Sequence, residues 1–327
     1  MRHLVRFASA SRERSPSDHF LNTNSQPMPL LVVGSVAFDS VQTPTAKREN
    51  VLGGSAVFFS YAASYFTSVR LVGVVGEDWP AEHTQLLQAR KIDTAGLQVV
   101  PGKETFRWSG KYLPNMNDRE TLEVHLNVFG EFDPVLPDDY RHAKYVFLAN
   151  GSPKVQLKVL EQCTGAHLAV ADTMDLWIET EHDELMELLT RIDGLVLNDS
   201  EAKLLTQDEN LVSAGQKVRE MGPKFVVIKK GEHGAMFFSE YETYVLPAYP
   251  TPDVVDPTGA GDSFAGGMMG YLAEKDNFEP TTLKEALAYG ILVASFNVED
   301  FSLDRMQRIE REDLEKRMRD YRQMLSF

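Results

Sequence analysis

Residues 256–264 read DPTGAGDSF: Asp256-Pro257-Thr258-Gly259-Ala260-Gly261-Asp262-Ser263-Phe264. A turn needs one glycine and a helix start needs one capping residue. This stretch places two glycines and an aspartate directly before an apolar, helix-patterned run. If Gly259, Ala260 and Gly261 lie in the first turn of a helix through Phe264, Met268 and Leu272, their N–H groups lack helical partners. The helix dipole adds partial positive charge there, so the turn forms an anion site suited to a phosphate or phosphoryl group. Asp262 then projects a carboxylate towards whatever meets that group, where it can take a proton from an attacking hydroxyl. The same spacing also fits a plain helix start, with Asp262 as a stabilising first-turn acid.

Upstream of this stretch the chain alternates two patterns. Runs apolar on successive residues occur at LLVVGSV (30–36), VRLVGVVG (69–76), KYVFLAN (144–150), HLAVAD (167–172), GLVLN (194–198) and KFVVIKK (224–230). Such runs suit strands covered on both faces. Helix-patterned segments at 55–66, 81–91, 154–163, 177–191, 200–206 and 211–221 lie between them. The rhythm predicts an α/β fold, a doubly wound and mostly parallel sheet flanked by helices. Towards the end, ALAYGILVASFNVEDFSLDRM reads as a helix, a break near Asn297 and then a charged surface helix.

One segment departs from the rhythm. Residues 102–130 alternate polar and apolar around a turn at Pro114-Asn115-Met116-Asn117-Asp118, which reads as an antiparallel hairpin with one wet face. We expect it to form a small β lid, with 40–50 as a further part. Phe106, Trp108 and Tyr112 fall on one face at period two. A lone hairpin cannot hide three rings, so a ligand, the core or a second subunit must cover them.

Composition narrows the partners. Asp and Glu outnumber Lys and Arg by 48 to 33, and the net charge of -15 argues against nucleic acid and anionic membranes. The single cysteine, Cys163, excludes an intrachain disulfide and a cysteine-based zinc cluster, and suits a reducing compartment. No apolar run approaches the ~18 residues of a membrane helix. Residues 1–28 are rich in Arg, Ser and Asn, which predicts a disordered tail, and Glu13 and Asp18 weaken a transit-peptide reading. The expected setting is the cytoplasm.

DPTGAGDSFAGGM resembles the C-terminal signature of the ribokinase (PfkB) family of carbohydrate and nucleoside kinases. Three further elements carry the resemblance in the order such kinases show them. Gly53-Gly54 in VLGGSAVFF matches the family's glycine pair. Asn198-Asp199-Ser200-Glu201 matches its Asn-x-x-Glu motif, and Lys230-Gly231-Glu232-His233-Gly234 matches its Lys-Gly-x-x-Gly element. Asp39 in GSVAFDS stands where the family keeps an aspartate for substrate hydroxyls.

The resemblance implies a ribokinase-like fold and transfer of the γ-phosphoryl group of ATP to a hydroxymethyl group of a sugar. A nucleoside of adenosine type is the alternative acceptor. Asp262 would be the base, with Gly259, Ala260 and Gly261 as anion hole. Asp39, Gly53 and Gly54 would hold the acceptor. Asn198, Lys230, Gly231, Gly234 and Asn297 would meet the nucleotide, Glu201 would hold Mg2+ through water, and Asp256 would help bind a monovalent cation such as K+. A homodimer through the lid is also expected.

Each match has a plain alternative, with Asn198 as a helix cap and Lys230-Gly231 as a strand-end turn. A non-catalytic relative would need to have lost Asp262 or its glycines, and no G-x-G-x-x-G follows the first strand to suggest a dehydrogenase. One position departs from the family. Four residues after Gly54, where sugar kinases of this kind carry Asn, stands Phe58. Its ring either packs in the core or faces an apolar part of the acceptor such as a nucleobase.

Overall fold

A computed structural model describes residues 29–326; the expected N-terminal tail lies outside them. The chain runs β1 (Leu30–Val33), β2 (Ala37–Gln42), β3 (Lys47–Gly53), α1 (Ser55–Ala63), β4 (Val69–Gly76), α2 (Ala81–Ala89) and β5 (Ile92–Val100). The pair β6 (Phe106–Tyr112) and β7 (Arg119–His125) follows, then β8 (Tyr145–Leu148), α3 (Pro153–Gln162), β9 (Leu168–Asp172), α4 (Asp175–Thr180) and α5 (His182–Leu189). Next come β10 (Gly194–Asn198), α6 (Asp199–Thr206), α7 (Leu211–Glu220), β11 (Phe225–Lys229), β12 (Ala235–Ser239) and β13 (Thr243–Leu246). Three helices close the chain: α8 (Ala260–Lys275), α9 (Pro280–Asn297) and α10 (Arg311–Leu325).

Nine strands form one sheet in the order β13-β12-β11-β10-β9-β8-β1-β4-β5. All pairings are parallel except those of β12, which runs antiparallel to both neighbours. Successive residues of β1 enter opposite cores. Leu30 and Val32 join the layer with α1, α8 and α9, whereas Leu31 and Val33 join the layer with α3, α5 and α7. This two-sided burial explains why such strands are apolar at every position rather than at alternate ones.

A second sheet of four strands has the order β3-β2-β6-β7, with β2 and β6 parallel and the outer pairs antiparallel. It contains the segment 102–130 and also β2 and β3. The chain thus passes directly from an inner strand of the large sheet, β1, into the small one.

The region 177–191 differs from expectation. It forms two helices, not one, because Glu181 leaves the helical region at φ -132° and ψ 43°. Its carboxylate there accepts the Ser152 hydroxyl at 2.6 Å.

Candidate active site

The stretch around Asp262 forms a tight, pinned turn. Gly259 is left-handed at φ 75°, and α8 begins at the next residue. A side chain at Gly259 would be strained by that φ and would run into the Phe58 ring. Asp256 Oδ1 accepts the Thr258 N–H at 2.9 Å, and the Ala260 N–H closes the turn onto the Pro257 carbonyl at 3.1 Å. That last bond uses one of the three donors expected in the anion hole.

Asn297 and Phe58 both pack against this turn. Asn297, the last residue of α9, is 1% exposed. Its Nδ2 donates to the Thr258 carbonyl at 2.8 Å and its Oδ1 accepts the Ser263 hydroxyl at 3.0 Å. Both ends of the amide thus help to pin the turn. Phe58 is 2% exposed and belongs to the main core beneath Gly259. Of the two placements considered for this ring, the core is the one observed. Phe58→Asn is therefore expected to lower the melting temperature, at a cost of about 2–4 kcal/mol, and to leave the ranking of acceptors as it was. Thermal melts of both proteins, with an acceptor panel, check this; a changed ranking at unchanged stability contradicts it.

Asp262 sits in the first turn of α8 with its carboxyl pushed up to about 7. Burial is the main cause, followed by the nearby Asp172 charge; Lys229 and Arg119 pull the other way. Asp39, on β2, is likewise raised to about 7, first by burial and then by Asp256 and Asp262, against the Gly54 N–H. Two carboxyls from residues far apart in sequence are thus brought near one another, with the Asp262 charge among the causes that raise Asp39. The glycine pair makes this possible: a Cβ on Gly53 would fall inside the Asp39 carboxylate. Gly54 turns at φ 98°, and a Cβ there would lie 2.5 Å from the Ser35 carbonyl oxygen.

At the carboxyl ends of β10 and β11, where open α/β sheets gather ligands, Asn198 caps α6. Its side chain accepts the Glu201 N–H at 2.8 Å and its own N–H donates to Glu201 Oε2 at 2.7 Å. The Glu201 carboxyl is raised to about 8, mainly by burial, with Lys229 opposing. The Lys230–Gly234 turn is closed by the Lys230 N–H on the Gly234 carbonyl at 2.8 Å, with Gly231 and Gly234 at φ 52° and 89°. The tip of the small sheet reaches this turn, where Asn117 donates to Glu232 at 3.0 Å.

A model of the pfkB family carbohydrate kinases matches residues 30–308. The chain belongs to that family. A cytidine kinase of Thermococcus kodakarensis is 32% identical over 247 residues, 73% of this chain and 87% of that protein. A nucleoside kinase of Methanothermobacter thermautotrophicus is 29% identical over 297 residues, 84% and 91% of the two chains. Among solved structures, ribokinase of Arabidopsis thaliana complexed with ribose and ATP shares the fold at a TM-score of 0.71 and 20% identity, over 90% of this chain and 99% of that one.

Three residues of this PfkB kinase's cleft escaped the sequence reading. Lys229 and Asp172 are the last residues of β11 and β9 and form an ion pair at 3.2 Å. Arg119, the first residue of β7, lowers both Asp39 and Asp262 and lies 5.7 Å over the Trp108 ring. A charged residue ending an otherwise apolar strand was the available signal for the first two. The hairpin's rings find cover within the chain: Phe106 stacks on Phe129 at 5.3 Å, and Trp108 and Tyr112 pack with Val41 and Phe301. No helix of the described residues is long and apolar enough to cross a membrane.

Proposed function

We propose that this kinase transfers the γ-phosphoryl group of ATP to the primary hydroxyl of a nucleoside. The observation that carries the transfer chemistry is Asp262, a carboxyl of near-neutral pKa in the first turn of α8 beside the left-handed Gly259. In the step, the acceptor oxygen bonds to the γ-phosphorus. The bond from that phosphorus to the β–γ bridging oxygen breaks, and ADP leaves with the electron pair. The hydroxyl proton passes to the Asp262 carboxylate. Donors at the turn of α8 face the charge on the transferring group, and Asp39 accepts acceptor hydroxyls.

A free sugar and a nucleoside offer Asp39 the same kind of hydroxyl. The cytidine and nucleoside kinases among the relatives support the nucleoside, and the core position of Phe58 removes that residue from the argument. Phosphorylation of a nucleoside and sugar panel with ATP tests this: we expect kcat/KM highest for a nucleoside, and a free pentose or hexose as the best acceptor would overturn it.

The residues present fit the ions that this chemistry uses. The capping box occupies only Oε2 of Glu201, and among the described residues no three Asp, Glu, His or Cys side chains are placed to hold a metal ion between them. That suits Mg2+ held mainly by water and phosphate, with Glu201 as an outer partner. The ion, when bound, neutralises phosphate charge. Asp256 is 1% exposed, and its Oδ2 meets no hydrogen-bond partner of ordinary geometry. A buried oxygen of this kind fits K+, and running the panel in K+ and in Na+ salts tests that role.

We also propose a homodimer through β7, which is exposed along its whole length and shows Leu122 and Val124 at 51% and 48% exposure. Val124→Asp is expected to convert the dimer to a monomer in sedimentation. A wild-type monomer at micromolar concentration would dismiss the proposal.

A further inference from the structure

Lys229 is a largely buried cation paired with a buried carboxylate. It ends β11 opposite Asn198 of β10, and its side chain is 17% exposed. Its Nζ lies 3.2 Å and 3.5 Å from the two carboxylate oxygens of Asp172, whose side chain is 5% exposed. The same ammonium reaches the start of α8: a Cβ on Gly261 would sit 3.0 Å from Nζ and 3.7 Å from Cδ and Cε. The glycine thus leaves room for the lysine against the backbone of the anion turn.

We infer that Lys229 is a working residue of the transfer site, with its ammonium set against the γ-phosphoryl group as that group passes to the acceptor. Asp172 is the positioning residue that holds it there. This rests on the function proposed above.

The charge balance supports it. Asp172, Glu201 and Asp262 all act on this one lysine, and a phosphate chain brings further negative charge. Burial alone would lower the Lys229 ammonium, but the three carboxylates outweigh it and hold the group charged. A point charge at the rim of a helix start adds to what backbone donors supply to a phosphoryl group. As a staple alone the pair would be a poor device, because apolar residues of similar volume replace buried ion pairs at little or no cost.

Binding and turnover together test the role. In Lys229→Met, kcat is expected to fall ~10²-fold with acceptor KM little changed, because the lost interaction is with the transferring group. The β,γ-imido analogue of ATP is expected to lose ~10-fold or more in affinity relative to ADP, since only the analogue carries the group that meets the lysine. Asp172→Asn keeps the ammonium and should lose ~10-fold or less in kcat. A structural staple predicts otherwise: equal losses for analogue and ADP, and similar kcat for the two variants. Either result, or a Lys229→Met enzyme within about threefold of wild-type kcat, overturns the inference. If Lys229→Met does not fold, the Asp172→Leu/Lys229→Met double variant removes both charges, and the analogue-to-ADP ratio is read there. An active Asp262→Asn enzyme would end the base assignment without touching that ratio, so the two readings fail separately.

Discussion

Replacing Asp262 by Asn is expected to lower kcat by ~10²–10⁴-fold while ATP affinity stays near that of the parent. The change keeps the shape of the first turn of α8 and removes the only carboxyl placed there. With the carboxyl at about 7, the parent's kcat should rise as the pH passes through that value, because the base must be ionised. Stability should move the opposite way. The folded pKa lies above the ordinary 3.8, so this group's contribution is complete below that value and is lost as the pH rises through about 7. The Asn variant should therefore gain more in melting temperature over the parent at about pH 8 than at about pH 5. An Asn variant with near-wild-type turnover would reduce Asp262 to a helix-start acid.

Gly259→Ala is the second large effect expected. The added methyl must adopt φ 75° and enter the Phe58 ring, which lies in the main core and has no open side to move into. Strain and overpacking together should cost about 2–5 kcal/mol and displace the turn that carries Asp262, with kcat down ~10²-fold or more. Phe58→Leu in the same chain should recover part of the stability by making room, and less of the activity, because the strained φ remains. A Gly259→Ala enzyme with unchanged melting and turnover would show that the turn tolerates a side chain and that its geometry is not the source of catalysis.

The large sheet was legible because its inner strands are buried on both faces. LLVV and GLVLN cannot be mistaken for half-wet elements, and the glycine-rich turn at 259–261 announces its own backbone. Edge strands were harder. In β13 (TYVL) burial falls on alternate residues, and β5 mixes Asp, Thr and Gln with its apolar positions, so neither shows a buried run. The site divides in the same way. Asp262, Asp39 and the glycine pairs stand out from local pattern and resemblance. Of the consecutive Lys229 and Lys230, only the register with Asn198 shows which one approaches Asp172, because neighbouring strand residues face opposite sides. Sequence position places Asn297 near the nucleotide and leaves Phe58 between the core and the acceptor. Their neighbours in the structure, the Thr258 carbonyl and Gly259, belong to a turn distant in sequence, which no local pattern reports.

The position of β1 inside the large sheet has a consequence for how the molecule comes into being. Its two neighbours begin at Val69 and Tyr145, so during synthesis the apolar run Leu30–Val33 waits for both before its edges are closed. Parallel pairing over such separations folds slowly and leaves unpaired apolar edges exposed, the situation in which chaperones bind and fragments aggregate. The turn that carries Asp262 comes later still, since it is pinned by Asn297 near the end of the chain. A growing chain of this kinase therefore keeps an edge of β1 open until β8 has been made, and the turn at Thr258 gains its Asn297 pin only when α9 has left the ribosome.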